Sequence, residues 1–170
     1  MVMKTISRCI NSIIVTATTV AIILGLIIAV PNLFRIHPYI VESGSMEPII
    51  HTGALAYIKE KDKEPMTGDI IMYCLTRDGE NSVYVTHRLI EIDEEGNYIT
   101  KGDANETEDL VPVQPKQVVG TYIGSIPGLG YFLAEFQGKK MVLAAVWIVI
   151  LNVIGILLEK MTEEDMKDEH

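Results

Sequence analysis

Cysteine is scarce in this chain of 170 residues, which contains only Cys9 and Cys74. Two cysteines make no disulfide framework. These two are predicted to fall on opposite sides of a bilayer, which argues against a bridge. Basic charge is also in short supply: 14 Lys and Arg stand against 23 Asp and Glu, a formal net charge of −9. No basic face for nucleic acid is present, and nucleic acid is excluded as a partner. The acidic excess reads as solvated loops and a soluble tail. The chain has no internal repeat and no low-complexity tract, which excludes a repeat architecture.

Uninterrupted apolar sequence, by contrast, is plentiful. Residues 13–30 and 141–158 carry no charge. As helices, each run would span roughly 27 Å, near the ~30 Å hydrocarbon core of a bilayer. Both are predicted to be transmembrane helices. Asn152 interrupts the second and needs a helical partner or an interfacial position. Lys4 and Arg8 give the first run a basic leader, as in a cleaved secretory signal. The run is longer than the ~7–15-residue apolar core of such signals, and Pro31-Asn32-Leu33-Phe34 is a poor small-residue exit. An uncleaved anchor is predicted.

Lys4 and Arg8 precede the anchor and Arg35 follows it, which places the N-terminus in the cytosol. The predicted layout is a leader and anchor over 1–30, an extracytoplasmic domain over 31–140, a second crossing over 141–158 and an acidic tail over 159–170. Lys139 and Lys140 then lie on the outer side, against the charge rule. A one-crossing alternative, with 141–158 packed elsewhere, stays open.

Between the apolar runs the pattern predicts strands over 53–59, 69–75, 82–93, 97–101 and 118–126. Glu94-Glu95-Gly96 is a hairpin-like connection. No helical period appears between 49 and 130. The fold class is mainly β, a small and partly closed sheet.

The chemistry centres on Ser43-Gly44-Ser45-Met46-Glu47-Pro48, shortly after the first apolar run. Neutral serine is a weak nucleophile and needs a base. Gly44 permits close approach of a substrate backbone, and Met46 and Pro48 can wall the site. His87 lies in Tyr84-Val85-Thr86-His87-Arg88. Strand alternation groups it with Val85 and Leu89. Alone on an apolar face, such a histidine is most often a satisfied core residue; the Ser45 tract makes it a candidate base. Asp103 and Asp109 both offer the carboxylate that a histidine base needs, and both equally suit turn work in a polar loop. Glu106 and Glu108 read as solvent charges. His37, His51 and His170 read as solvated or interfacial. His87, Asp103 and Asp109 match no zinc spacing, and a metal site would leave Ser45 unexplained.

The Ser45 tract, His87 and Gly102-Asp103-Ala104-Asn105 together resemble the type I signal peptidases. The resemblance covers most of 30–135. Thr67-Gly68-Asp69-Ile70-Ile71 is similar to the family's strand after a Gly-Asp turn. Residues 117–133 resemble its closing strand and the approach to a second membrane segment. The resemblance implies a small signal-peptidase-like β-fold flanked by N- and C-terminal transmembrane helices. It implies Ser45 as nucleophile, with the Ser43 hydroxyl and the Ser45 N–H as oxyanion donors.

Most bacterial members carry lysine as base; here His87 takes that place. This resembles the histidine-type subgroup of the endoplasmic-reticulum complex, archaea and Gram-positive sporulation. There the later aspartate, here Asp109, completes a Ser–His–Asp set, and Asp103 supports the site. The implied activity is a membrane-bound serine endopeptidase cleaving signal peptides, with no metal or organic cofactor. Its implied partners are secretory preproteins, the lipid bilayer and translocation machinery. Its implied place is the cell membrane, or the endoplasmic-reticulum membrane in a eukaryote. A rival reading is a non-enzymatic membrane β-module that binds extended peptides by edge pairing, which has no use for Ser45, His87 and Asp109 together. A related self-cleaving regulator is a third, though these usually lack two anchors and use lysine.

Overall fold

The computed structural model describes residues 2–76, 82–135 and 139–167. Met1 of the leader and Asp168, Glu169 and His170 of the tail lie outside the described residues. The chain divides into two units, Met1–Ala29 with Glu135–His170, and Val30–Ala134.

The first unit is helical. Helix α1 covers Val2–Asn32. Within it Thr16, Thr18 and Thr19 donate their hydroxyls to carbonyls one turn back, at 2.8 to 2.9 Å. Such back-bonding satisfies polar groups in an apolar helix without water. A second long helix, α3, covers Lys139–Lys167, so the acidic segment expected as a tail continues a helical backbone. Asn152 finds its partner across the helix pair, where Nδ2 donates to Thr18 Oγ1 at 2.8 Å. One turn on, a Cβ added to Gly155 would lie 2.7 Å from Asn11 Oδ1. Residues 152 to 155 thus run against 18 to 11, and the helices are antiparallel. Among the described residues one helix, Cys9–Asn32, is long and apolar enough to cross a membrane. The apolar part of α3 is the shorter Leu143–Leu157.

The second unit is an antiparallel sheet of β1 (Ile36–Ile40), β2 (Leu55–Glu60), β3 (Ile70–Thr76), β4 (Val83–Ile92), β5 (Tyr98–Lys101) and β6 (Val118–Ile126). The strand order is β1-β2-β6-β3-β4-β5. The five strands expected from sequence are present within two residues at each end. Strand β1 was not expected. Its Pro38 argues against a strand, yet β1 sits at the edge of the sheet, the position where a missing N–H is tolerated. The short helix α2 (Leu129–Glu135) was also not expected.

The run Ile70-Ile71-Met72-Tyr73-Cys74 is buried throughout, because β3 has β6 and β4 as neighbours and a core on each face. Ile71 and Tyr73 join Leu89, Tyr98, Val113 and Val118 in one cluster. Ile70 joins Met46, Ile50 and Ala54 in the other. Burying side chains of this size contributes about 1.5–3 kcal/mol each, so the tract after Ser45 is pinned by Met46 and Ile50.

At Gly120 the backbones of β6 and β2 leave no room for a side chain: an added Cβ would stand 2.1 Å from the Lys59 carbonyl oxygen. A Cβ at Gly124, on the same strand, would meet nothing within 4 Å. Chemical denaturation in detergent should show Gly120→Ala destabilised by about 1–3 kcal/mol, and Gly124→Ala unchanged within about 0.5 kcal/mol. Equal effects would contradict this packing.

Candidate active site

Ser45 stands in a turn between β1 and β2, held on one side by buried Met46 and Ile50. On the other side its carbonyl oxygen accepts from the Ala104 N–H at 2.8 Å. That contact needs Gly102, where a Cβ would lie 2.7 Å from the Ser45 carbonyl oxygen. The two loops that carry the predicted residues are thus fastened backbone to backbone.

His87 is central in β4 and pairs across the ladder with Ile71. Its side chain is only 10% exposed. Its Nε2 lies 3.1 Å from Ser45 Oγ, and its Nδ1 lies 2.6 Å from Asp109 Oδ2. An ionised carboxylate can only accept, so the Nδ1 proton faces Asp109 and the Nε2 lone pair faces the Ser45 hydroxyl. Serine, histidine and aspartate, spread over 65 positions of sequence, form one hydrogen-bonded chain.

Asp109 is held by more than His87. Thr100 Oγ1 donates to the same Oδ2 at 2.6 Å and the Tyr73 hydroxyl donates at 3.0 Å. Its backbone N–H bonds the Thr100 carbonyl at 2.8 Å. Partial burial pushes the Asp109 carboxyl up, but the bonds from His87, Thr100 and Tyr73 outweigh it and hold the group below the usual aspartate value. Burial pushes the Tyr73 phenol well above its ordinary range, so it stays protonated and remains a donor. Sequence reasoning missed both Thr100 and Tyr73. Thr100 left a trace: it alternates with Tyr98 on the inward face of β5, and a polar side chain there needs a polar partner. Tyr73 is hidden in an apolar run.

Asp103 lies elsewhere. It forms a two-pronged pair with Arg88, at 2.8 Å to Nε and 2.6 Å to Nη2, while Arg88 Nη1 donates to the Gly68 carbonyl at 2.8 Å. It braces the loop and is not part of the Ser45–His87–Asp109 chain. Ser43 is exposed and borders the same cleft as Ser45. No described group accepts the Ser45 backbone N–H. His51 and His37 are occupied locally, by Glu47 and Asn32. Cys9 and Cys74 form no disulfide with each other.

The cleft has a volume of about 700 Å³. Residues 39–43 form one wall and 82–87 the other, with Ala56, Ile58 and Met72 on an apolar floor. Tyr39 and Tyr84 meet across it with ring centroids 6.0 Å apart.

An antiparallel sheet whose serine, histidine and aspartate converge beside an apolar slot has the makings of a serine hydrolase. Comparison with known proteins specifies the lineage. The sequence model described as "Signal peptidase, peptidase S26" matches residues 12–121. The chain belongs to this signal peptidase family. It is 38% identical over 87 residues to Signal peptidase I W of Bacillus subtilis, a match covering 48% of this chain and 44% of that protein. It is 34% identical over 103 residues to the signal peptidase complex catalytic subunit SEC11 of Candida albicans, covering 54% of this chain and 60% of that protein. With SEC11 of Eremothecium gossypii identity is 31% over 131 residues, covering 68% and 76%. The chain therefore spans about half the length of the first two relatives.

The depressed Asp109 carboxyl has a consequence for stability. A carboxylate held below its unfolded value stabilises the fold above that value, and the gain is lost as pH falls through the folded one. The difference in melting temperature between wild type and Asp109→Asn should shrink once pH drops below about 4, near the aspartate reference value. A difference constant from pH 7 to pH 3 would contradict the assignment of Asp109 as the charged partner.

Proposed function

We propose that the chain is a membrane-anchored serine endopeptidase that removes signal peptides from exported preproteins through Ser45, His87 and Asp109. The observation that carries this reading is the unbroken hydrogen-bonded path from Ser45 Oγ through the imidazole to an ionised carboxylate, at the wall of a cleft, in a member of this family. Ser45 Oγ attacks the scissile carbonyl carbon while His87 Nε2 takes its proton. The imidazolium stays paired with Asp109, which remains ionised. The oxyanion meets the unpaired Ser45 N–H, with Ser43 as second donor; one such donor is worth roughly 2.7–4 kcal/mol of barrier. Collapse breaks the C–N bond, and the Nε2 proton goes to the leaving amine. Water, deprotonated by His87, then attacks the acyl ester, releasing the new carboxylate and restoring Ser45.

The residues before the cut lie along the apolar slot, where shallow walls favour small side chains. None of these steps calls on a metal or organic cofactor. Asp103 serves the site by bracing its loop through Arg88. The helix Cys9–Asn32 anchors the enzyme in the bilayer with its N-terminus in the cytosol, and 31–140 forms the extracytoplasmic catalytic domain. Residues 141–158 make a second crossing beside the first, with Asn152 paired to Thr18 inside the membrane, and 159–170 returns to the cytosol. Translocation machinery is the fitting neighbour for such an enzyme.

Ser45→Ala and His87→Ala should each lower preprotein processing by roughly 10³-fold or more, and the double variant should be little worse than either, because the groups act as a unit. His87→Lys should not restore activity. Wild-type processing by Ser45→Ala would defeat the protease reading in favour of a peptide-binding module. For the second crossing, Glu169→Cys in a chain lacking Cys9 and Cys74 should resist a membrane-impermeant maleimide applied to the outer face of sealed vesicles. Ready labelling there would refute it.

A further inference from the structure

The loop that carries Ser45 has a neck. Just beyond the paired strands β1 and β2, the Gly53 N–H donates to the Val41 carbonyl at 2.7 Å and the Val41 N–H donates to the Ala54 carbonyl at 3.0 Å. Residues 42–52 form the loop that this closure gathers. Ala54 is fully buried and shares a core cluster with Met46 and Ile50, which pin the serine tract. A displacement of the neck is therefore passed to Ser45 through one packed cluster and a short stretch of backbone.

Helix α2 is seated on this neck. The Tyr131 N–H donates to the Gly53 carbonyl at 3.1 Å. A Cβ on Gly130 would stand 2.5 Å from the Ala54 carbonyl oxygen and 2.7 Å from that of Gly53. Helix backbone thus lies against neck backbone with no side chain between them. The Tyr131 ring covers Gly53, and a Cβ at Gly53 would collide with it. Gly53 has a φ of 77°, a conformation that suits glycine. Tyr131 is nevertheless 62% exposed, so its ring adds little to the core. The described residues that line the cleft include none of Gly53, Gly130 and Tyr131.

We propose that Gly130 and Tyr131 are positioning residues for the nucleophile: α2 clamps the neck of the serine loop and so sets where Ser45 Oγ stands before His87 Nε2. This rests on the protease reading. The clamp acts through the loop and does not touch substrate. It joins the core packing of Met46 and Ile50 and the Ala104 contact as a support for the same loop. The contact it protects is the 3.1 Å hydrogen bond between Ser45 and His87. A misplacement of about 1 Å at such a contact can cost ~10²-fold in rate.

The full-length protein in detergent, with an internally quenched peptide spanning a preprotein cleavage region, tests this. Tyr131→Ala removes one support of several and should lower kcat by roughly tenfold, with KM within about twofold of wild type. Tyr131→Phe keeps the ring and should keep wild-type kcat. Gly130→Ala keeps the ring but wedges a methyl group against the Ala54 carbonyl, and should reproduce the loss of kcat. Hydrogen exchange followed by mass spectrometry should show residues 42–54 exchanging faster in Tyr131→Ala, with 84–92 in β4 unchanged. General loosening of the sheet would speed both segments. Wild-type kcat in Tyr131→Ala or Gly130→Ala, a loss confined to KM, an equal loss in Tyr131→Phe, or faster exchange in both segments would each overturn the proposal. Ser45→Ala is the control for the underlying reading. Cleavage at the wild-type rate there would remove the protease assignment, whereas the exchange contrast between the two segments judges the clamp on its own.

Discussion

One carboxylate oxygen, Asp109 Oδ2, collects donors from three strands: Tyr73 on β3, His87 on β4 and Thr100 on β5. Taking an anion partly out of water is costly unless its lone pairs are filled. Here the filling is done by groups whose own positions are set by ladder register and core packing. The imidazole is consequently oriented by the sheet itself, with rotation about its χ angles checked by a bond at each ring nitrogen. Strand pairing, core burial and site geometry are coupled through that atom.

The other half of the site reaches the sheet by a different route. Ser45 belongs to no strand. It is located by Met46 and Ile50, which sink into the second core cluster, and by the carbonyl contact that only a glycine at 102 permits. Ser45 is thus referenced to the core cluster that holds Ile70, His87 to the ladder opposite Ile71, and the two side chains meet at 3.1 Å.

Much of this was legible in the sequence because the decisive features are local. Alternation in 82–93 and the hairpin turn at Glu94-Glu95-Gly96 set β4 and β5. The compact serine tract drew attention to Ser45, and the resemblance singled out Asp109 over Asp103. What was not legible depends on contacts between distant segments. Tyr73 looks like one more apolar residue until its hydroxyl is seen to face Asp109, 36 positions later. Arg88 looks like a solvent-facing strand residue until Asp103 folds over it. Strand β1 was obscured by Pro38, because a proline forbids a central strand but not an edge, and edge position is a property of topology. The helix after residue 139 shows the opposite limit: its charge-free run was plain, but the continuation to Lys167 was not.

Pro38 also limits what the sheet can recruit. An edge strand offers a row of open amides to any passing chain. With no N–H at residue 38, the row is broken in the middle of β1, and its outer side pairs with no other strand among the described residues. A guest strand laid along the whole edge would skip a rung there, so copies of the domain zip together poorly. A short guest placed past the gap, along residues 39–43, loses nothing. The same ring that discourages promiscuous polymerisation thereby confines docking to the stretch leading toward the serine.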